Sequence, residues 1–204
     1  RVGILWYGIA LLAQPILWFV ALGISAVITG RVPDFNSLAI YRYGAVPPGT
    51  SPLVALGPYL ALQFVSLIGE EAGWRGYALP RLLRRYDWVT ASVILFAGWA
   101  LWHGPLFFIQ GSTQSDLPVP LYLLDMLATT LILTWLFLRT KGSLLLATLF
   151  HGSINTFTLF LPILPSITGN GTAFYIGIGL KWLLTAGIVL KNRPQRFGRQ
   201  PEKA

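Results

Sequence analysis

The sequence predicts an all-α fold, a polytopic transmembrane bundle of about six helices, on three observations. Of 204 residues, 54% are hydrophobic and only 11% charged, and the mean hydropathy is +0.63; one soluble core cannot bury that much apolar surface. The apolar residues fall into six runs, 3–29, 53–79, 89–110, 119–139, 143–163 and 173–190, each near the ~20 residues that a bilayer core requires. Between them lie segments such as "GRVPDFNSLAIYRYGAVPPGTSP", "QGSTQSDLPVP" and "LPSITGNGT", whose Gly, Pro, Asn and Ser form loops. There is no internal repeat, so residues 1–190 read as one membrane-embedded domain and 191–204 as a basic cytoplasmic tail.

The first run is too long for the core of a signal peptide and is expected to span the membrane, kinked at Pro15. The second ends in "SLIGEEAGWRGYALPRL", which sets Glu70, Glu71 and Arg75 among apolar neighbours. The third carries His103, with Pro105 two residues on; proline removes a backbone donor and loosens the helix, which admits water or an extended substrate. The fourth carries Asp125 near its outer end, expected to pair one helix with another, and the fifth carries His151 and Asn155. In the sixth, Lys181 is expected to snorkel toward water. The "GIGLK" from Gly177 lacks the third glycine and the preceding strand of a nucleotide fingerprint, so helix packing by small residues accounts for it. Asn170-Gly171-Thr172 has the form of a glycosylation sequon, and a turn explains it equally well.

Charge sets direction. Arg81, Arg84 and Arg85 follow the second run, Arg139 and Lys141 the fourth, and Lys191, Arg193, Arg196, Arg199 and Lys203 the sixth, whereas the loops after the third and fifth contain no Lys or Arg. By the positive-inside rule both termini face the cytoplasm, against a mild conflict from Arg31 and Arg42. The net charge of +8 sits in clusters between apolar runs rather than on a polar face with interleaved aromatics, which points to membrane lipid and not to nucleic acid. Cysteine is absent, excluding disulfides, thiolate nucleophiles and Cys-ligated zinc.

Ionisable groups at membrane depth are usually functional, since even the lenient insertion scale charges roughly 2.5–3.5 kcal/mol for one. At 1.5 Å of rise per residue, Glu70 lies about 15 Å from the cytoplasmic end of its span, His103 about 21 Å, and His151 and Asn155 about 12 and 18 Å. Three helices thus carry polar groups to one layer, which Asp125 is expected not to share. Glu71 and Arg75 are four apart and suited to an ion pair, with Glu70 turned about 100° away and free for chemistry. His151 and Asn155, also four apart, project together. A packing role for a lone histidine, or a structural clamp for Glu71 and Arg75, stays open; a shared depth for Glu70, His103, His151 and Asn155 argues against packing alone.

In these residues the chain resembles the CPBP family of intramembrane proteases, formerly called Abi, which includes type II CAAX prenyl endopeptidases and bacteriocin-processing enzymes. The family signatures EExxxR, FxxxH and HxxxN read here as "EEAGWR" at 70–75, "WALWH" at 99–103 and "HGSIN" at 151–155, in order and on separate helices. The region of likeness runs from about 53 to 163, and "RGYALPRL" extends it. Only the phenylalanine of the second signature departs, replaced by Trp99, an exchange of one aromatic for another. The resemblance implies peptide-bond hydrolysis within the membrane on a membrane-associated protein or peptide, prenylated or not. It implies that Glu70 and His103 activate water, that His151 and Asn155 hold the oxyanion, and that Glu71 and Arg75 support them.

No cofactor is expected, but a zinc protease using Glu70, His103 and His151 is the alternative, since two His and a carboxylate make a normal catalytic zinc set. Against zinc, the amide of Asn155 suits an oxyanion better than a metal, and Glu71, the obvious acceptor behind a ligating histidine, is expected to be committed to Arg75. A serine protease lacks its nucleophile turn. A transporter should show paired, interrupted helices in two halves, which are not seen; a membrane immunity protein or scaffold that kept the motifs is the other non-enzymatic reading.

Overall fold

The computed structural model describes residues 2–44, 46–47 and 49–192, so the basic residues from Arg193 onward lie outside the described residues. All six runs fall in helical segments of a length and composition able to cross a membrane, built on α1 (Ile4–Thr29), α2 (Pro52–Glu71), α3 (Trp88–His103), α4 (Val119–Arg139), α5 (Leu144–Phe160) and α6 (Thr172–Lys191). No strand occurs among the described residues. Large apolar side chains such as Val27, Leu53 and Leu101, each at least 80% exposed, point away from the bundle, where hydrocarbon rather than water would meet them.

The helix ends follow local chemistry. Asp87 caps α3 by accepting from the backbone N–H groups of Val89 and Thr90 at 2.9 and 3.0 Å, and Ser143 caps α5 through Leu146 N–H. Burial tends to raise the Asp87 carboxyl, but the hydrogen bonds from Thr90 and Val89 outweigh it and hold the group below the ordinary carboxylate range. Two crossings leave regular α geometry near their ends. The second runs on to Leu83, through a π-helical segment Ala72–Ala78 and a short helix Leu79–Leu83. The third leaves α geometry after His103 and tightens into a 3₁₀ turn, Gly104–Phe108, as expected where Pro105 cannot donate.

The central helix is α5, which packs on α1, α2 and α4, while α6 closes the bundle against α1 and α4. The joint between α1 and α5 has a specific cause. Pro15 cannot donate to the carbonyl four residues back, Leu11, and Ser153 Oγ of α5 donates to that carbonyl instead at 2.9 Å. The joint between α1 and α6 depends on Gly177, where a Cβ would come within 1.9 Å of the Trp18 ring. Small-residue packing is therefore the role of that glycine.

Two knots fasten the ends of the bundle. At one, the Trp88 indole donates to the Asn192 carbonyl at 3.0 Å and Arg139 bonds the Asn192 side chain, joining α3, α4 and α6. At the other, Arg42 pairs with Asp116 at 2.7 Å, and the Tyr43 hydroxyl donates to the same carboxylate. Arg42, which stood against the charge rule, is thus neutralised within its own loop layer.

Candidate active site

Glu70 of α2, His103 of α3, and His151 and Asn155 of α5 line one cavity of about 260 Å³. The carboxylates of the first motif divide as their spacing predicts: Glu70 faces the cavity, while Glu71 is fully buried beside Arg75, whose Nη1 donates to Glu71 Oε1 at 2.9 Å. The π-helical turn that follows Glu71 bears Arg75, and such bulges gather at functional sites.

Glu71 is not committed to Arg75 alone, contrary to the sequence expectation. The same Oε1 also accepts from His151 Nδ1 at 2.8 Å, so one buried carboxylate orients both a cation and an imidazole. A carboxylate can only accept, which fixes the proton on Nδ1 and leaves His151 Nε2 to the cavity. His103 is set the same way: its Nδ1–H donates to the Trp99 carbonyl at 2.9 Å, leaving Nε2 as an acceptor. Asn155 Nδ2 donates to Gln63 Oε1 at 3.1 Å, an α2 side chain seven residues before Glu70 and on the same face. Gln63 escaped the sequence reading, although the seven-residue interval was a signal that could have found it.

Three further expectations need correcting. Lys181 does not snorkel: it is 1% exposed, and its Nζ donates to Asp125 Oδ1 at 2.6 Å and Thr129 Oγ1 at 3.3 Å. An unpaired ammonium would seek water, but a partner on α4 meets this one inside the bundle. Asp125, the expected helix–helix partner, does pair α4 with α6, yet it lies in the layer from which it was excluded, since it lines the same cavity. Nor is Trp99 a neutral exchange. Its indole N–H donates to Glu70 Oε2 at 3.4 Å, its ring meets His151 edge-on at a centroid distance of 5.2 Å, and the Arg75 Cζ stands 4.3 Å from its centroid.

A metal was the alternative occupant. Among the described residues no three His, Asp or Glu side chains group as a metal-holding set. Glu71 does supply His151 with the acceptor that a ligating histidine requires, contrary to the expectation that it serves Arg75 alone.

Residues 52–157, just over half the chain, match the family profile described as type II CAAX prenyl endopeptidase Rce1-like. The chain belongs to that family. All three signatures lie inside the matched region. The chain is also 32% identical over 172 residues to CAAX prenyl protease 2 of Methanococcus maripaludis, a stretch covering 81% of this chain and 60% of that relative. It thus spans about three fifths of the relative's length. As a CAAX prenyl endopeptidase family member with six span-capable helices, it is a multi-pass membrane protein.

Proposed function

We propose that this protein is an intramembrane endopeptidase of the glutamic type, which cleaves a peptide bond in a membrane-anchored protein or peptide. Prenylated C-terminal segments are the substrate class that the family description suggests. The observation that carries the reading is the convergence of Glu70, His103, His151 and Asn155 on one cavity, with Glu71 and Arg75 buried behind them. Glu70 takes a proton from water while His103 Nε2 accepts the other and holds the oxygen in line. The hydroxide oxygen bonds to the scissile carbonyl carbon, and negative charge moves onto the carbonyl oxygen. The second Asn155 amide hydrogen donates to that oxyanion, and His151, held by Glu71 with Nε2 toward the cavity, stands beside it. Collapse of the adduct breaks the C–N bond, and Glu70 returns its proton to the leaving amine.

Metal-free hydrolysis is part of this reading, supported by the lack, among the described residues, of three His, Asp or Glu side chains grouped closely enough to hold an ion. So is an orientation with both termini and the loops holding Arg84 and Lys141 in the cytoplasm, supported by the placement of basic residues.

Membrane-anchored peptide libraries, prenylated and unprenylated, incubated with the purified chain test the proposal. Cleavage should vanish in Glu70→Gln with the fold intact, fall about 10²-fold in kcat in Asn155→Ala, and survive a chelator. Near-normal turnover by Glu70→Gln would remove the base. Loss to a chelator with recovery on zinc alone would promote the metalloprotease.

A further inference from the structure

Trp99 touches Glu70, Arg75, His103 and His151, and it does so with three different parts of itself. Its carbonyl accepts from His103 Nδ1 at 2.9 Å, which fixes the tautomer that leaves Nε2 bare. Its ring lies edge-on to His103 and His151, with centroids 5.5 and 5.2 Å away. The Arg75 Cζ lies 4.3 Å from its centroid, so a buried cation polarises the indole and strengthens its N–H as a donor. That N–H, which has only donor capacity, reaches Glu70 Oε2 at 3.4 Å. Trp99 is 3% exposed, so water does not compete freely for the proton.

We propose that Trp99 is a positioning residue whose indole N–H orients the Glu70 carboxylate, leaving its other oxygen directed at the water held by His103. The family signature has phenylalanine at this position, which can supply the ring contacts but no donor. This chain therefore adds a hydrogen bond to the base that the signature itself does not encode. The inference rests on Glu70 acting as the base in the proposed hydrolysis, while the contact itself can be measured without turnover.

The test uses the full chain in bilayers, with Trp99→Phe and with Trp99→benzothienylalanine, a sulfur isostere that keeps the shape and stacking of indole and lacks only the N–H. The carboxylate stretching band of Glu70 is identified in infrared difference spectra by its loss in Glu70→Gln. Both Trp99 variants should shift that band. Both should also lower kcat about tenfold with KM unchanged, the effect expected for one hydrogen bond to a charged group. If Trp99→Phe fails to fold, the isostere decides alone. A native band in the isostere overturns the contact, and a shifted band with native kcat overturns the positioning role. If the native chain cleaves none of the peptides, the protease reading fails, and the band alone still decides whether Trp99 holds Glu70.

Discussion

Glu71 shows how much can depend on one oxygen. Its Oε1 serves both Arg75 and His151, whereas its Oε2 and the Arg75 Nε and Nη2 find no hydrogen-bond partner among the described residues. A buried pair with so few supporting bonds is expensive to desolvate and more expensive to break, about 3–5 kcal/mol when one partner is removed. Glu71→Gln should therefore lower unfolding stability by about 3 kcal/mol or more and abolish cleavage, whereas Glu70→Gln should leave stability within about 1 kcal/mol; denaturant titration in detergent measures both. The Glu71–Arg75 half of this arrangement was legible in the sequence because four-residue spacing on a helix guarantees proximity. The His151 half was not, for it joins positions 80 residues apart, and nothing local to either motif encodes which helix faces which. The indole N–H of Trp99 was hidden for a similar reason, since pattern matching reads an aromatic as a shape.

Single hydrogen bonds also decide how whole helices meet. The proline of α1 frees the Leu11 carbonyl, and Ser153, midway between His151 and Asn155, answers it. One residue interval thus aims α5 at the cavity on one side and anchors it to α1 on the other. Ser153→Ala should cost about 1–3 kcal/mol, the penalty of an acceptor left unpaired within a membrane span, where lipid offers no replacement donor. Loss of amide protection near Leu11 and Ser153, followed by hydrogen exchange, would check that the damage lies at this joint; unchanged stability would mean that the carbonyl finds another donor. Helix existence was legible because long apolar runs leave few alternatives, and the end of α3 was legible in Pro105. The π-helical turn after Glu71 was not: it changes hydrogen-bond register without changing hydropathy, the only quantity that locates spans in a sequence.

The six crossings put the loops after α1 and α3 on one side, where Arg42 meets Asp116, and Asn192 with the Trp88 and Arg139 ends on the other. Because the native chain has no cysteine, an introduced thiol is the sole target for labelling. Under the proposed orientation, Gln110→Cys should react with an impermeant reagent on intact cells and Arg84→Cys only after permeabilisation; the reverse pattern would invert the protein. The Asp125–Lys181 pair adds a constraint on the order in which the molecule is made. Until α6 leaves the ribosome, the carboxylate of Asp125 has no counter-ion inside the bundle, a burden on α4. Docking of α6 relieves that burden and, through Phe174, supplies part of the cavity wall. During synthesis, then, the cavity closes only as the sixth helix docks, and the nascent chain would carry Glu70, His103, His151 and Asn155 into the membrane before the chamber that they line is assembled.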